Sequence, residues 1–301
     1  MNSPLAGRTV LVTGAARGIG AEIARHAAAR GARVALVGLE PERLSELARS
    51  LGDGHTWSEC DVTDQAGLEL AVASTMDTLG RIDVVVANAG IATNGTVAVS
   101  PVEALARTID VNLTGVIRTV STTLPHVTAR RGYFLLVSSA AAFTALPGMA
   151  TYCAAKAGVE QFANAFRLEV AHHGVAVGSA HPGWIDTDLV RDFQEDMPSF
   201  QETIRKLPWP LNHITSVEAC ADAIVRGIER RRRRIYVPRA LAGVQAARTL
   251  VLGPVAEAII RRPARTAVPE LERDVAALGR AFGRHSSALG RPAQVLGQPK
   301  S

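Results

Sequence analysis

The stretch Arg8-Thr-Val-Leu-Val-Thr13, continued by Gly14-Ala-Ala-Arg-Gly-Ile-Gly20 and an alanine-rich segment over 21–30, leaves few folds open to this chain. A short apolar run rich in β-branched residues, with no polar alternation, reads as a strand buried on both faces of a parallel sheet. Residues 21–30 place Ile23 and Ala27 on one face of a helix that Gly31 closes. The glycines therefore lie between a strand end and a helix amino terminus. Free backbone N–H groups and the positive end of the helix dipole make that position a site for a pyrophosphate. The order Gly14, Gly18, Gly20 departs from the G-x-G-x-x-G spacing, and an ordinary glycine turn is the alternative.

The same alternation continues along the chain. Residues 33–37 read as a second strand and 41–51 as a helix with Leu44, Leu47 and Leu51 at helical spacing. In dinucleotide folds the end of the second strand meets the adenosine ribose, and here that end is Gly38-Leu39-Glu40. A third strand over 55–60 leads into Asp61-Val62-Thr63-Asp64, where Asp64 is placed to cap a helix running to Leu79. A fourth, over 82–87, runs into Asn88-Ala89-Gly90, followed by helical patterning over 101–120. Asn112 is a poor helix former in that pattern and marks a local distortion, a polar contact or a solvated side chain. A fifth strand over 133–138 ends at Ser138-Ser139.

The next helix reaches about His172 and carries Tyr152 and Lys156, four residues apart and so on one face. Taken alone, that pair also fits an exposed Lys whose stem covers a tyrosine ring. A sixth strand over 175–180 ends at His181-Pro182-Gly183. Residues 184–214 hold Trp184, Phe193, Met197, Phe200 and Trp209 with no sustained period, and are expected to form a lid or substrate loop. A helix over 216–230 and a brief strand over 235–237 follow. The expected organisation is one catalytic domain over 5–238 and a helical extension over 239–301 that becomes polar and mobile near Gly290.

Composition narrows the function. Hydrophobic residues make up 47% of 301, enough for a sizeable core. The net charge of +5 owes much to the run Arg230–Arg234, and aromatics at 4% do not alternate with basic residues, so no nucleic-acid partner is expected. Cys60, Cys153 and Cys220 have no metal-ligand spacing and are read as reduced thiols of a cytoplasmic protein, with no metal site. The amino terminus has no export pattern. Residues 240–260 are apolar but interrupted by Gln245, Arg248, Pro254 and Glu257, which excludes a membrane span. With its flanking arginines, 240–262 retains peripheral membrane contact as an option.

The ordered series Thr13-Gly-x-x-x-Gly-Ile-Gly20, Asn88-Ala-Gly90, Asn112, Ser139, Tyr152-x-x-x-Lys156 and Pro182-Gly183 resembles the short-chain dehydrogenase/reductase family over roughly residues 5 to 238. The resemblance implies a Rossmann-like, doubly wound parallel sheet of about seven strands, an NAD or NADP cofactor, and hydride exchange with the alcohol or carbonyl of a small, largely apolar molecule. It implies a general acid/base in Tyr152, whose pKa would have to fall towards 7, with Lys156 and the oxidised nicotinamide lowering it and Lys156 also holding the nicotinamide ribose. Ser139 would bond the substrate oxygen and Asn112 would anchor a relay water. Gly14, Arg17, Gly18, Ile19 and Gly20 would lie under the pyrophosphate or beside the 2'-position. Leu39 and Glu40 would lie near the adenosine ribose with Asn88, Ala89 and Gly90, Asp61 and Val62 at the adenine, and Pro182, Gly183 and Thr187 along the nicotinamide. Gly38 and Leu39 stand where family members often carry the residues that select the cofactor. Arg17 invites a 2'-phosphate and Glu40 repels it, which tips the balance slightly to NAD. The family also implies a homodimer or homotetramer. A non-catalytic nucleotide-sensing or scaffold protein of the same fold is the alternative.

Overall fold

The computed structural model describes residues 3–93 and 95–284, without the side chains of Phe200 and Thr203; the expected mobile end beyond Gly290 lies outside the described residues. Strand β1 (Thr9–Thr13) is buried throughout, and helix α1 (Gly18–Ala28) follows it directly. The chain continues through β2 (Arg33–Gly38), α2 (Pro41–Leu51), β3 (Thr56–Glu59), α3 (Gln65–Leu79), β4 (Val84–Ala87) and α4 (Val102–Ile109). After a π-helical turn over Asp110–Thr114 come α5 (Gly115–Ala129), β5 (Tyr133–Val137), α6 (Ala150–Glu169) and β6 (Ala176–Pro182).

Seven strands form one parallel sheet in the order β3-β2-β1-β4-β5-β6-β9, the last being Arg234–Val237. Because successive residues of a strand face opposite sides, the sheet feeds two cores. Val10, Val12, Val34 and Leu36 join the layer under α1, α2 and α9 (Val217–Glu229). Leu11, Ala35, Val37, Phe134 and Leu136 join the layer under α3, α5 and α6. The order reverses direction between β1 and β4, so the crevice beyond their carboxyl ends is the place where an open α/β sheet receives a ligand.

Two sequence expectations take a more definite form. Asp64 caps α3, accepting from the Ala66 N–H at 3.1 Å. Asn112 sits in the π-helical turn, so the residue that disturbed the helical pattern does mark a distortion. The stretch 184–214 is more ordered than its pattern suggested. It forms β7 (Trp184–Ile185), α7 (Asp188–Asp196), α8 (Pro198–Lys206) and β8 (Ile214–Thr215), with β7 and β8 paired in a small parallel sheet. Each of its helices spans nine residues, too few turns to display a period. Their buried residues Phe193, Met197 and Ile204 pack on Met149 and on Leu271 and Val275, a partnership invisible to local reading.

Beyond β9 the chain is helical, with α10 (Leu241–Ala246), α11 (Arg248–Val251) and the long α12 (Pro254–Leu278). Helix α12 returns across the carboxyl end of the sheet and packs on α7 and α8. Asp274 accepts from Ser199 Oγ at 2.5 Å, Glu272 accepts from Thr96 Oγ1 at 2.7 Å, and Arg280 pairs with Asp196 at 2.5 Å. No helix among the described residues is long and apolar enough to cross a membrane.

Candidate active site

The turn after β1 is built by contact too close for any side chain. A Cβ on Gly20 would fall 2.2 Å from the Gly14 carbonyl oxygen, and one on Gly14, whose φ is +64°, would fall 2.8 Å from Ala89 Cα. Asn88 locks the two loops together: its Nδ2 donates to the carbonyls of Thr13 at 3.0 Å and Gly14 at 3.2 Å. Thr13 Oγ1 in turn accepts from the backbone N–H of Asn88 at 3.0 Å and Ala89 at 3.2 Å. Helix α1 begins at this turn with no side-chain cap, so its first N–H groups point outward without an internal partner.

These groups open on a cavity of about 190 Å³ that extends from Leu39, Glu40, Asp61 and Val62 to Tyr152 and Lys156. Gly14, Arg17, Gly18, Ile19, Asn88, Ala89, Gly90, Pro182 and Thr187 also line it, bringing together nearly all the residues expected at a cofactor. Gly20 is buried behind the turn, and Gly183 lines a second cavity instead. Arg17 is not free at the ribose end: its Nε donates to Glu40 at 2.7 Å and its Nη1 lies 3.4 Å from Asp188. A residue the sequence reading missed, Arg107, also lines this cavity, bonding Asp61 at 2.5 Å and Thr63 at 2.6 Å. Its signal was a cation one turn after buried Ala104 on α4, where an apolar residue would be ordinary.

At the other end, the Lys156 ammonium is buried, donates to the Val137 carbonyl at 2.9 Å, and lies 5.6 Å from the centre of the Tyr152 ring. Burial lowers its pKa to about 8. Burial raises the Tyr152 phenol to about 12, outweighing the lowering effect of the nearby Ser139 side chain. In the polypeptide alone the phenol thus lies above its ordinary value, and the expected fall towards 7 is tied to Lys156 together with an oxidised nicotinamide. Removing both groups from water disfavours the phenolate more than the neighbouring hydroxyl favours it, and the ammonium is turned to a carbonyl.

Asn112 is fully buried, and both ends of its amide engage one residue: Oδ1 accepts from the Ile91 N–H at 2.8 Å and Nδ2 donates to the Ile91 carbonyl at 2.7 Å. The side chain fastens the loop 88–91 beneath Lys156, and a water joined to Lys156 would be left with the backbone of the π-helical turn. Behind Ser139 lies buried His181, also missed, with Nε2 2.9 Å from Ser179 Oγ and its ring stacked on Tyr236 at 5.2 Å. Burial, helped by the charge of Arg234, pushes it down to about 4, so the ring is neutral at pH 7.

Ser139 and Tyr152 also face the second cavity, of about 430 Å³. Its walls are apolar: Ala92, Leu146, Met149, Trp184 and Phe193 on the domain side, and Val251, Ile260, Ala267 and Leu271 from the extension. Helix α12 therefore supplies a wall of the site, which nothing in its local sequence announces. The Tyr152 phenol stands at the junction of the two cavities, and the Ser139 hydroxyl lines the larger one.

Comparison with known proteins bears on the family and the fold. The family pattern described as short chain dehydrogenase matches residues 8–198. The 2-(R)-hydroxypropyl-CoM dehydrogenase of Xanthobacter autotrophicus is 32% identical over 228 residues, which cover 72% of this chain and 90% of that protein. The putative oxidoreductase SadH of Mycobacterium tuberculosis is 33% identical over 246 residues, 78% of this chain and 87% of that one. The match to glycine betaine reductase ATRR of Emericella nidulans, 34% identical, spans 74% of this chain but 18% of that much longer protein. The crystal structure of a short-chain type dehydrogenase/reductase from Mycobacterium marinum superposes with a TM-score of 0.69 at 26% identity, covering 77% of this chain and 94% of that one.

Proposed function

The chain belongs to the short-chain dehydrogenase family and is an NAD(P)-dependent oxidoreductase of CH–OH groups; within that class we propose that it interconverts a secondary alcohol and a ketone on an apolar small molecule, with Tyr152 as the general acid/base. The observation that carries this reading is the position of Tyr152, lining both the cavity beside the glycine turn and the larger apolar cavity that Ser139 also lines. The residues present fit a dinucleotide. The uncapped N-terminus of α1 and the glycine cradle suit a pyrophosphate, and the cavity beyond them reaches Lys156. Bound there, such a cofactor supplies hydride exchange and, when oxidised, a positive charge near the phenol.

Each side chain then has a task. Ser139 Oγ orients the substrate oxygen. Tyr152, held protonated by burial, is ready to give a proton to a carbonyl oxygen on reduction, and takes it back from an alcohol on oxidation. Lys156 steadies a ribose hydroxyl and lowers the phenol's pKa when the site is filled. Asn112 keeps loop 88–91 in register with both. Because a scaffold has no need of this arrangement, the non-catalytic alternative is the weaker one.

NAD is the favoured cofactor, since Arg17, the side chain suited to a 2'-phosphate, is engaged by Glu40 and Asp188. The working unit is residues 5–238, with 239–301 as an extension whose part over 241–271 lines the substrate cavity. A cytoplasmic location suits its three free cysteines. Exposed Leu168 on α6 and Ile117 on α5 suit a homodimer or homotetramer. A peripheral membrane contact of 240–262 suits an apolar substrate. Replacing Tyr152 with Phe is expected to abolish turnover of a ketone panel, followed by nicotinamide absorbance, while NADH still binds by fluorescence titration; retained turnover would refute the assignment.

A further inference from the structure

The apolar cavity does not end inside the protein. Three of its wall residues reach the surface together: Ile259 is 69% exposed, Ile260 is 42% exposed, and Pro208 flanks Trp209, itself 69% exposed. Around this mouth α11, the turn after it and the start of α12 add Leu250, Leu252 and Val255, exposed by 76%, 45% and 73%. None of the three lines the cavity. A water-soluble protein gains nothing from such side chains standing in solvent at the entrance of a greasy chamber, and apolar surface grouped in this way marks a contact.

We propose that this rim seats on the surface of an anionic lipid bilayer, and that the substrate enters the cavity directly from the lipid. This rests on the oxidoreductase reading above only for what happens after entry. Charge decides between a bilayer and another partner. Across 257–265 the chain carries Arg261, Arg262 and Arg265 against one acid, Glu257, while Arg248 is paired with buried Glu160 at 3.5 Å. Arg261, Arg262 and Arg265 are exposed beside the apolar rim. Apolar side chains interleaved with arginines on a helix lying at the surface match a headgroup layer, with the apolar groups entering the acyl boundary and the cations staying at the phosphates. A second copy of the chain fits less well. A two-fold contact through this face would set the same arginines against one another across the interface. A bilayer also solves a transport problem, because an apolar molecule dissolved in lipid reaches this mouth without crossing water.

The test uses the full chain and two vesicle preparations, phosphatidylcholine alone and an equimolar mixture with phosphatidylglycerol, in a flotation assay. The protein should float with the anionic vesicles, less so as salt is raised. The triple variant Leu250→Ser, Leu252→Ser, Val255→Ser should bind those vesicles at least about tenfold more weakly. Its circular dichroism and NADH affinity should match the parent, since all three side chains are exposed. Absence of binding by the parent, or equal binding by the variant, overturns the proposal. Sedimentation showing a dimer that the variant loses, with no vesicle binding, overturns it in favour of a second copy. Vesicle binding that depends on the three side chains supports the rim even if no ketone or alcohol is turned over, a result that would count against the oxidoreductase reading instead.

Discussion

Replacing Asn112 with Leu isolates the contribution of one buried amide to the site. The side chain is fully buried and makes two hydrogen bonds, of 2.8 and 2.7 Å, both to the backbone of Ile91. Leucine has the same branching and number of heavy atoms, though bulkier ends, and bonds neither group. The Ile91 N–H and carbonyl are then left without partners and without room for a water to replace them. A buried donor or acceptor so stranded costs about 1–3 kcal/mol, so the pair should cost about 2–6 kcal/mol. That is a large part of the about 5–15 kcal/mol that holds a domain folded. Asn112→Ala leaves space in which a water can bond both groups, and it should fall at the lower end of the range. Urea unfolding reads the loss as a lower midpoint at constant slope. The effect should also reach function. Gly90 precedes Ile91, and a Cβ on it would lie 3.0 Å from Asn112 Oδ1 and 3.5 Å from Lys156 Nζ, so loosening the loop disturbs the wall nearest the ammonium. NADH should bind the Leu variant more weakly than the Ala variant. A Leu variant within about 1 kcal/mol of the parent would show that the two bonds do not fasten the loop.

Two further outcomes follow from buried or paired charges. Glu40→Gln removes the carboxylate that holds Arg17 and should move the ratio of NADPH to NADH affinity towards NADPH by roughly tenfold, one charge-assisted bond to phosphate being worth about that; an unchanged ratio in fluorescence titrations would exclude Arg17 from cofactor choice. His181, lowered to about 4 in the folded chain from an ordinary 6.5, refuses a proton that the unfolded chain accepts, so stability falls as pH drops from 6.5 towards 4. Between pH 7 and 5 that loss should be about 2 kcal/mol. The variant His181→Phe lacks it, and equal changes in urea midpoint for parent and variant would refute the assignment.

How much of this was legible in the sequence depended on whether a residue's role is local. The strands could be read because each is a run of apolar residues buried on both faces, as in Val10, Leu11 and Val12. The glycine turn could be read because it joins such a strand to an alanine-rich helix within a dozen residues. Asn112 stood out because asparagine disturbs a helical pattern, and it does sit in a π-helical turn; its partner Ile91, 21 residues earlier, could not be inferred. What stayed hidden was made by contacts distant in sequence. Helices α7 and α8 bury their few apolar residues on Leu271 and Val275, and Arg107 reaches back 46 residues to Asp61. The extension shows the same limit most plainly. Read locally, 240–262 is an interrupted apolar segment with flanking arginines, suited to packing or to an interface. Folded, α12 lines the cavity with Ile259, Ala267 and Leu271 while Val255 stands exposed outside it. The period of the helix made both faces available. Only the return of the chain across the carboxyl end of the sheet decides that one of them lines the larger cavity, and so ties the least informative part of the sequence to Tyr152.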